Sequence, residues 1–494
     1  MKKVASGISP LIAIDRALSK PLHRQIYDAY RGAIVGHSLR AGDRVPSTRL
    51  LASDLGISRI PILNAYAQLQ AEGYFETRVG AGTIVSASLP DQMVAVRPSR
   101  TGAAFPNRRG VRRLSKQSEA LPLGESPLRR GPGAFSVNQI AVDQFPFQIW
   151  NSLVVRHCRR ASMNSLNYGN PMGLSELCGA IATYLRTARG VRCEPEQIMI
   201  VSGSQQGLEI ATRVLLDPGD SVWMEEPGYS VARSVFAFHS CRILPVPVDG
   251  EGLNVAAGIK IGRSARAALV TPSHQHPLGV TMSASRRLQL LQWAESSGSW
   301  ILEDDYDSEY RYESMPIASL QGLDANARVI YIGTFSKVLF PSLRLGYLVI
   351  PQDLVARFRA ARVAIDLNPP VFSQSVLADF IHEGHFSRHL RRMRMLYGER
   401  SRAMVRAIRD ELGPAAEITG GDAGMNLSIT LKGIDDQAIA DEAARQNLWL
   451  VPLSSSYLRR PGRQGFILGF GNVPMEQIQG AVRKLISIIN RAGA

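Results

Sequence analysis

The stretch VIYIGTFSKVLFPSLRLGYLVI, residues 329–350, is the most informative part of the sequence. An apolar strand ends in small polar residues, presents Lys337 and, seven residues later, presents Arg344. A lysine at a strand end can form a Schiff base with an aldehyde. Thr334, Ser336 and Arg344 suit a dianionic phosphate beside it. A lysine in such a loop is more often an ordinary surface residue, so the interpretation depends on what the other strands supply.

Carboxylates follow a second apolar strand. SWILEDDYDSEY places Asp304 at the strand end, 33 residues before Lys337. A buried aspartate there can keep a pyridinium nitrogen protonated, which makes an aromatic ring an electron sink. The same acidic cluster also fits a metal site or a solvated loop.

Other strand ends supply a phosphate-binding turn and further polar groups. VSGSQQGLEIATRVLL is a strand, a turn at Gly203, Ser204 and Gln205, and a helix whose first amides can bind phosphate. EEPGYSVAR offers Tyr229 for stacking on a planar ring. TPSHQHPLG offers His276 and other polar groups at a strand end.

Strands and helices alternate from about Phe135 onward. The strand-like stretches are QIMIVSG, SVWMEEP, AALVTPS, SWILEDD and VIYIGTFS. This alternation is typical of a largely parallel sheet covered on both faces. After Pro351 the pattern is helical, and strands return at MNLSITL, LWLVPLS and GFILGFG. The sequence therefore predicts a large α/β part followed by a smaller α+β part, without internal repeats.

Residues 22–87 contain three helical patterns followed by a short β pattern. Ser47 and Thr48 are placed to cap the second helix, which ends at Gly56. The third helix follows Ser58, its expected N-cap. Two short helices joined by a tight glycine turn form a helix-turn-helix, whose second helix enters the major groove of DNA. The helices alone also fit an ordinary three-helix packing unit.

A two-stranded wing is predicted after these helices, in YFETRVGAGTIVS, with Gly80 and Gly82 at its tip. DNA contacts are expected from exposed helix starts and from the wing, where side chains meet phosphates and base edges. The expected DNA-binding residues are Arg44, Ser47, Arg49, Ser58, Arg59, Arg78 and Thr83.

The net charge of +15 is concentrated near the start of the chain. Residues 1–90 carry +5 and residues 91–133 carry +6, whereas the remaining 361 residues carry only +4. Such a distribution indicates a nucleic-acid-binding end joined to a near-neutral body, although charge that serves solubility is the simpler alternative. The segment 89–133 is rich in Pro, Gly, Ser and Arg and predicts a basic, flexible linker.

Several protein classes are excluded by composition. The 494 residues suggest two or three domains, and no apolar run approaches the ~18–20 residues that span a bilayer. Asp15 and Arg16 interrupt the apolar start, which argues against a signal peptide and favours a cytoplasmic protein. The cysteines lack CxxC spacing, so neither a metal site nor a disulfide framework is expected. Buried thiols are expected at Cys158, Cys178, Cys193 and Cys241.

The N-terminal segment resembles the winged helix-turn-helix of the GntR family of bacterial transcription regulators. The resemblance covers residues 21–85 and rests on PLHRQIY, LRAGDRVPSTRLLASDLGISR and AYAQLQAEGYFETRVGAGTIV. It implies binding to double-stranded operator DNA. The sequence departs from the family at Ile60 and Pro61, where polar residues are usual.

Roughly residues 135–490 resemble the fold-type I aminotransferases that depend on pyridoxal 5′-phosphate (PLP), in the order and spacing of the motifs quoted above. The resemblance implies that Lys337 forms the Schiff base with the cofactor. It also implies that Asp304 faces the pyridine nitrogen, that Tyr306 bonds the ring hydroxyl and that Tyr229 stacks on the ring. The implied cofactor-binding residues are Gly203, Ser204, Gln205, Tyr229, His276, Asp304, Tyr306, Thr334, Ser336, Lys337 and Arg344.

Two departures from the aminotransferase pattern concern the substrate side. His276 stands where an asparagine usually bonds the cofactor hydroxyl, unless His276 or Gln275 substitutes for it. Ile467 stands where an arginine usually binds the substrate carboxylate, and Arg463 is the nearest replacement in sequence. Both changes bear on transamination more than on cofactor binding.

The order of the parts resembles the MocR (GabR-like) subgroup of GntR regulators over nearly the whole chain. The implied domains are a winged helix-turn-helix (1–88), a linker (89–133) and an aminotransferase-like domain (134–494), itself divided near residue 350. The implied function is PLP-dependent transcription regulation in the bacterial cytoplasm, at the nucleoid, in response to an amino compound or PLP. A head-to-tail homodimer without membrane contact is expected; YGNPMG, residues 168–173, resembles a segment that often crosses its interface. A catalytically active aminotransferase with an appended DNA-binding domain is the alternative, and partial transamination stays open.

Overall fold

The computed structural model describes residues 8–10, 12–78, 82–87, 114–119, 121, 133–160, 167–312, 317–459 and 461–492. These residues fall into two compact units, one within residues 1–112 and one within residues 113–494. Among the described helices, none combines the length and the apolar character needed to cross a membrane.

Three helices and a two-stranded antiparallel sheet form the N-terminal unit. Their bounds are α1 Leu22–Val35, α2 Thr48–Leu55, α3 Arg59–Ala71, β1 Phe75–Arg78 and β2 Gly82–Val85. In the sheet, Phe75 lies opposite Val85 and Arg78 lies opposite Gly82. The order of elements is that of a helix-turn-helix followed by a wing; Gly80 lies outside the described residues.

Aromatic side chains hold this unit together. Ile26 of α1 and Ile62 of α3 are fully buried. Beside them the rings of Tyr30, Tyr66 and Phe75 meet edge to face, with centroids 5.1 to 5.5 Å apart. Each such pair adds about 0.5–1.5 kcal/mol beyond the burial of its area.

The turn between α2 and α3 is fixed by its end residues. The Ser47 hydroxyl accepts a hydrogen bond from the Leu50 amide at 3.2 Å, and Gly56 ends α2 at φ +60°. Ser58 precedes α3 as predicted, but its side chain accepts no capping hydrogen bond. Ser58 is therefore the N-cap residue, as predicted, and its side-chain bond to the third helical residue is missing because that residue is Pro61, which has no amide to donate.

The C-terminal unit contains the remaining helices and strands. The helices are α4 Lys116–Glu119, α5 Phe147–Arg159, α6 Ser175–Arg189, α7 Ser204–Leu215, α8 Ser230–Phe238, α9 Val255–Gly262, α10 Ala284–Ser297, α11 Leu320–Leu323, α12 Val355–Asp366, α13 Val371–His382, α14 His385–Leu412, α15 Asp436–Arg445 and α16 Met475–Ala492. The strands are β3 Ile198–Val201, β4 Ser221–Glu226, β5 Arg242–Asp249, β6 Gly252–Leu253, β7 Ala267–Val270, β8 Trp300–Asp305, β9 Val329–Thr334, β10 Gly346–Val349, β11 Glu417–Thr419, β12 Asn426–Leu431, β13 Val451–Pro452 and β14 Gln464–Gly469.

The large sheet has eight strands in the order β3-β10-β9-β8-β7-β4-β5-β6. Strands β9, β8, β7, β4 and β5 run parallel, whereas β10 is antiparallel to both of its neighbours. A second, antiparallel sheet has the order β11-β12-β14-β13. The predicted fold class, a large α/β part and a smaller α+β part behind a winged helix-turn-helix, is confirmed.

Local departures from the sequence-based expectations have simple causes. Strand β5, RILPVPVD, was not predicted, since its two prolines disfavour a strand. Cys158 is exposed on α5, so the expected buried thiol is wrong there, while the other three cysteines are buried. Of the predicted linker 89–133, only residues 114–119, 121 and 133 are described, and they include the short helix α4.

The two isoleucines at the start of α3 offer a matched stability test. Ile62 is fully buried and Ile60 is 67% exposed. We expect Ile62→Ala to destabilise the N-terminal unit by about 2–5 kcal/mol, the range for emptying a buried aliphatic site. Ile60→Ala should change stability by less than about 0.5 kcal/mol. Thermal unfolding followed by calorimetry checks this, and equal shifts for both variants would show that the buried face of α3 is misassigned.

Candidate functional site

A cavity of about 370 Å³ lies in the C-terminal unit, beside the carboxyl ends of the parallel strands. Ten of the eleven cofactor-binding residues predicted from the sequence line it, the exception being Gly203. The cavity is also lined by three residues that sequence reasoning missed, Asn138, Val231 and Thr271. Carboxyl ends of parallel strands meet at one edge of a sheet, and ligands bind there in open α/β folds.

Lys337 follows β9 and brings a basic amine into the cavity. Burial lowers the pKa of Lys337 to about 8, against the opposing influence of the Asp307 and Asp304 carboxylates. A lysine with a lowered pKa has a substantial neutral fraction near neutral pH, and the neutral amine is the nucleophile.

The acidic side chains at the end of β8 point to the two opposite faces of the sheet. Glu303 accepts hydrogen bonds from the amides of Leu320 and Gln321 at 2.8 Å. Asp305 forms a buried ion pair with Arg189 at 2.9 Å and accepts a hydrogen bond from Tyr331. Successive side chains of a strand point to opposite faces, so the residue between them points the other way, into the cavity.

Asp304 is that intervening residue, and its carboxylate is not satisfied. Its Oδ1 atom is buried and has no hydrogen-bond partner in the described part of the protein. Burial and the neighbouring Asp305 raise the pKa of Asp304 to about 7. A buried carboxylate without a partner is costly, so this position favours a ligand that brings a protonated nitrogen to Oδ1.

A polar cup forms another part of the cavity lining. Ser204 and Gln205 begin α7, whose first amides have no partner within the helix. The Arg344 guanidinium donates to the Ser202 carbonyl and lies against Gly203. Gly203 has φ +96°, and a Cβ there would meet that guanidinium at 3.2 Å. Thr334 and Ser336 complete the cup, which combines the donors and the cation that suit a phosphate.

Aromatic rings also line the cavity. His276 meets Tyr229 and Tyr306 edge-on, with ring centroids 5.7 and 6.1 Å apart. Burial, with the nearby His274 and Lys337, lowers the pKa of His276 to about 3, so its ring is neutral. The Tyr306 hydroxyl lies 3.1 Å from Nδ1 of the buried His274, which orients it.

Of the two candidates to replace the missing asparagine, only His276 faces the cavity. The Gln275 side chain donates to the Pro227 carbonyl at 2.9 Å and accepts from the Leu278 amide at 3.0 Å. Gln275 is also buried away from the cavity lining. It therefore supports the local backbone.

A second cavity of about 300 Å³ adjoins the first and shares Asn138, Tyr229, Val231 and His276 with it. Ile467 of β14 contributes to its lining, as expected for a residue at the substrate-side position. Arg463 lines neither cavity and instead pairs with Glu417 at 3.3 Å.

The predicted DNA-binding residues all lie in the N-terminal unit. Six of them are exposed and Thr83 is half-buried. The Arg59 Nε atom donates to Thr48 Oγ1 at 2.9 Å, which joins the starts of α3 and α2. The Arg78 guanidinium pairs with Glu76 at 2.7 Å on the wing. Helix starts and the wing thus present cations to solvent.

Comparison with known families divides the chain in the same way. Residues 22–85 match the family of bacterial regulatory proteins, gntR family. Residues 134–485 match the family aminotransferase class I and II.

Relatives of the whole chain are regulators, and its fold neighbours are enzymes. The chain is 40% identical to the probable rhizopine catabolism regulatory protein MocR of Rhizobium meliloti, covering 97% of this chain and 95% of that protein. It is 35% identical to the HTH-type transcriptional regulator TauR of Rhodobacter capsulatus, over 85% and 86% of the two chains. A crystal structure of Pyrococcus horikoshii kynurenine aminotransferase superposes with a TM-score of 0.71 at 28% identity, over 76% and 97%.

The cup around Arg344 and the Asp304 carboxyl group can be tested separately with two ligands. One is pyridoxal phosphate and the other is pyridoxal, which lacks the phosphate. We expect Arg344→Gln to weaken binding of the phosphate ester by roughly 10–100-fold, the value of a charge-assisted hydrogen bond. Binding of pyridoxal should stay within about twofold. Asp304→Asn removes the anion and should weaken both. Absorbance titrations of the apo-protein measure these affinities, and equal losses for both ligands in Arg344→Gln would contradict the assignment of the cup.

Proposed function

The chain belongs to the MocR-type regulators of the GntR family, in which a helix-turn-helix domain is joined to an aminotransferase class I and II domain, and on this premise we propose that it is a PLP-dependent transcription regulator that responds to a small amine. The observation that carries the proposal is the cavity itself. It combines the Lys337 amine, the unpartnered Asp304 carboxylate and a phosphate-binding cup.

The donor set fits PLP at each of its functional groups. Asp304 Oδ1 would accept from the protonated pyridine nitrogen, and the cup around Arg344 would hold the phosphate. Tyr229 and His276 would border the ring, with Tyr306 near its hydroxyl. When bound, PLP supplies an aldehyde that combines reversibly with amines.

The protein's own groups control the protonation states that this role requires. Lys337, with its pKa near 8, supplies a neutral amine without strongly alkaline conditions. Asp304 becomes fully ionised when a cationic N–H approaches Oδ1, because an opposite charge favours the charged form. An incoming amine would leave Lys337 free and so change the charge at the cavity.

The N-terminal unit would bind the DNA through which the protein regulates transcription. Exposed arginines at the starts of α2 and α3 and on the wing suit phosphate contacts. We propose a homodimer, with the head-to-tail arrangement implied by the resemblance, since two-fold dimers match paired half-sites on DNA. An amine can alter DNA binding only by binding one of two states of the protein more tightly.

An active aminotransferase with an appended DNA-binding domain is the second candidate. The retention of both Lys337 and Asp304 favours it, since these groups also serve transamination. Ile467 in place of a carboxylate-binding arginine argues against it. Release of a keto product during incubation with amines distinguishes the two functions.

We expect the PLP-loaded protein to bind its own upstream DNA, with an affinity that falls as salt rises and that changes when an effector amine is added. Lys337→Ala should keep DNA binding and lose the change, because the group that the amine displaces is gone. Arg49→Ala is the matched control: it should weaken DNA binding and lower its salt slope by about one while leaving the visible absorption response intact. Fluorescence anisotropy and absorption spectra measure both. An intact amine response of DNA binding in Lys337→Ala would refute the proposal.

A further inference from the structure

We propose that the effector is a hydroxylated primary amine that has no carboxylate group and carries no charge apart from that of its amine. The inference deepens the proposed function and rests on it, since the amine is assumed to reach the cofactor cavity. The second cavity, which adjoins the first through Asn138 and Val231, is the space available for the rest of the ligand.

Charge is the first argument. Among the described residues that line the two cavities, the cations are Lys337 and Arg344. Both lie in the first cavity, where one serves the aldehyde and the other the phosphate. His276, which lines both cavities, stays neutral because its pKa is about 3. A carboxylate in the second cavity would therefore be buried without a counter-charge, which is strongly unfavourable.

Two nearby guanidinium groups are already committed elsewhere. Arg233 donates to the carbonyl oxygens of Ser456 and Tyr457. Arg463 pairs with Glu417. Neither lines a cavity, so neither meets a ligand carboxylate there.

Ile467 contributes an apolar side chain to the lining of the second cavity. The side chain is 1% exposed and packs in a small buried cluster with Leu278 and Leu453. Val231 adds a second apolar group at the junction of the cavities. A hydrocarbon or ring face of the ligand fits against these two residues.

Neutral polar groups supply the remaining contacts. Asn138, Gln139, Gln437 and Ser455 line the second cavity. Asn138 holds a left-handed backbone conformation, φ +66°, and its amide donates to Asn426 Oδ1 at 3.1 Å. This backbone hydrogen bond anchors Asn138 where the two cavities meet. Amide and hydroxyl side chains hydrogen-bond hydroxyl groups without requiring charge, so the lining selects a hydroxylated ligand.

Matched pairs of amines test the proposal on the PLP-loaded, full-length protein. One pair is 3-amino-1,2-propanediol and 3-amino-2-hydroxypropanoate, and the other is 4-amino-1-butanol and 4-aminobutyrate. We expect the alcohol of each pair to bind at least about tenfold more tightly, measured by the shift of the visible absorption band and by the change in DNA affinity. Equal affinities, tighter binding of the acids, or no response to any of the four amines would overturn it.

The variant Ile467→Arg tests whether a cation at this position creates binding of carboxylates, and Ile467→Leu is its control. The arginine variant should move the preference toward the acids by at least about tenfold, whereas the leucine variant should keep it. If the arginine variant keeps the preference for alcohols, Ile467 does not face the ligand and the inference fails. A protein that shows no visible cofactor band refutes the proposed function instead, which keeps the two failures distinguishable.

A second, independent observation concerns the DNA-facing start of α3. Ile60 is 67% exposed and Leu63, one helical turn later, is 42% exposed. The first residues of the second helix of a helix-turn-helix contact base edges in the major groove. The apolar group that bases present there is the thymine methyl group. We infer that Ile60 contacts a thymine methyl group and thereby selects the operator.

Replacing thymine by uracil removes that methyl group alone. The operator is first obtained by repeated selection from a randomised DNA library, and each thymine is then replaced in turn. We expect a uracil at one position per half-site to weaken binding of the original protein several-fold and to leave binding of Ile60→Ala unchanged. Arg49→Ala, the control, should keep the full uracil effect. A uracil effect of the same size in Ile60→Ala would refute the contact.

Discussion

The Asp304 carboxylate organises the site. At the end of β8 the strand alternation sends Glu303 and Asp305 to one side, where backbone amides bind Glu303 and the Arg189 guanidinium pairs with Asp305. The same alternation sends Asp304 to the other side, where its Oδ1 atom stays buried without a partner. The pairing of Asp305 therefore determines the direction of Asp304, and the cost of an unpaired buried carboxylate is offset only when a cationic ligand binds.

The other functional groups depend on the same sheet edge. Burial removes water from the charged Lys337 amine and lowers its pKa. The attraction of the nearby carboxylates raises the pKa by less, so the net change is downward. Arg344 also lines the cavity and donates to the Ser202 carbonyl. A cavity that contains the Asp304 carboxyl group, the Arg344 cation and a neutral His276 has charges that suit a pyridinium phosphate.

Residues at strand ends could be predicted from the sequence, because parallel strands bring their carboxyl ends to one edge wherever the chain runs between them. That reasoning found Asp304, Tyr229 and Lys337. It missed Asn138, which precedes the first strand of the large sheet, shows no periodicity and takes its position from a left-handed backbone conformation. It placed the N-cap of α3 at Ser58 correctly, although the Ser58 side chain accepts no hydrogen bond there.

The two cavities differ in charge, so the groups that would bind the cofactor are distinct from the groups that would select the amine. All cationic side chains that line them among the described residues lie where the cofactor would bind. Ile467 lines only the second cavity, so a substitution there is expected to alter which amine fits without disturbing the groups that hold PLP. The first cavity is constrained by the large sheet because many of its residues follow strand ends, whereas the second cavity is lined mainly by residues of other segments, among them Gln139, Val451 and Ile467. One fold can in this way keep a fixed chemistry and vary the ligand that it detects.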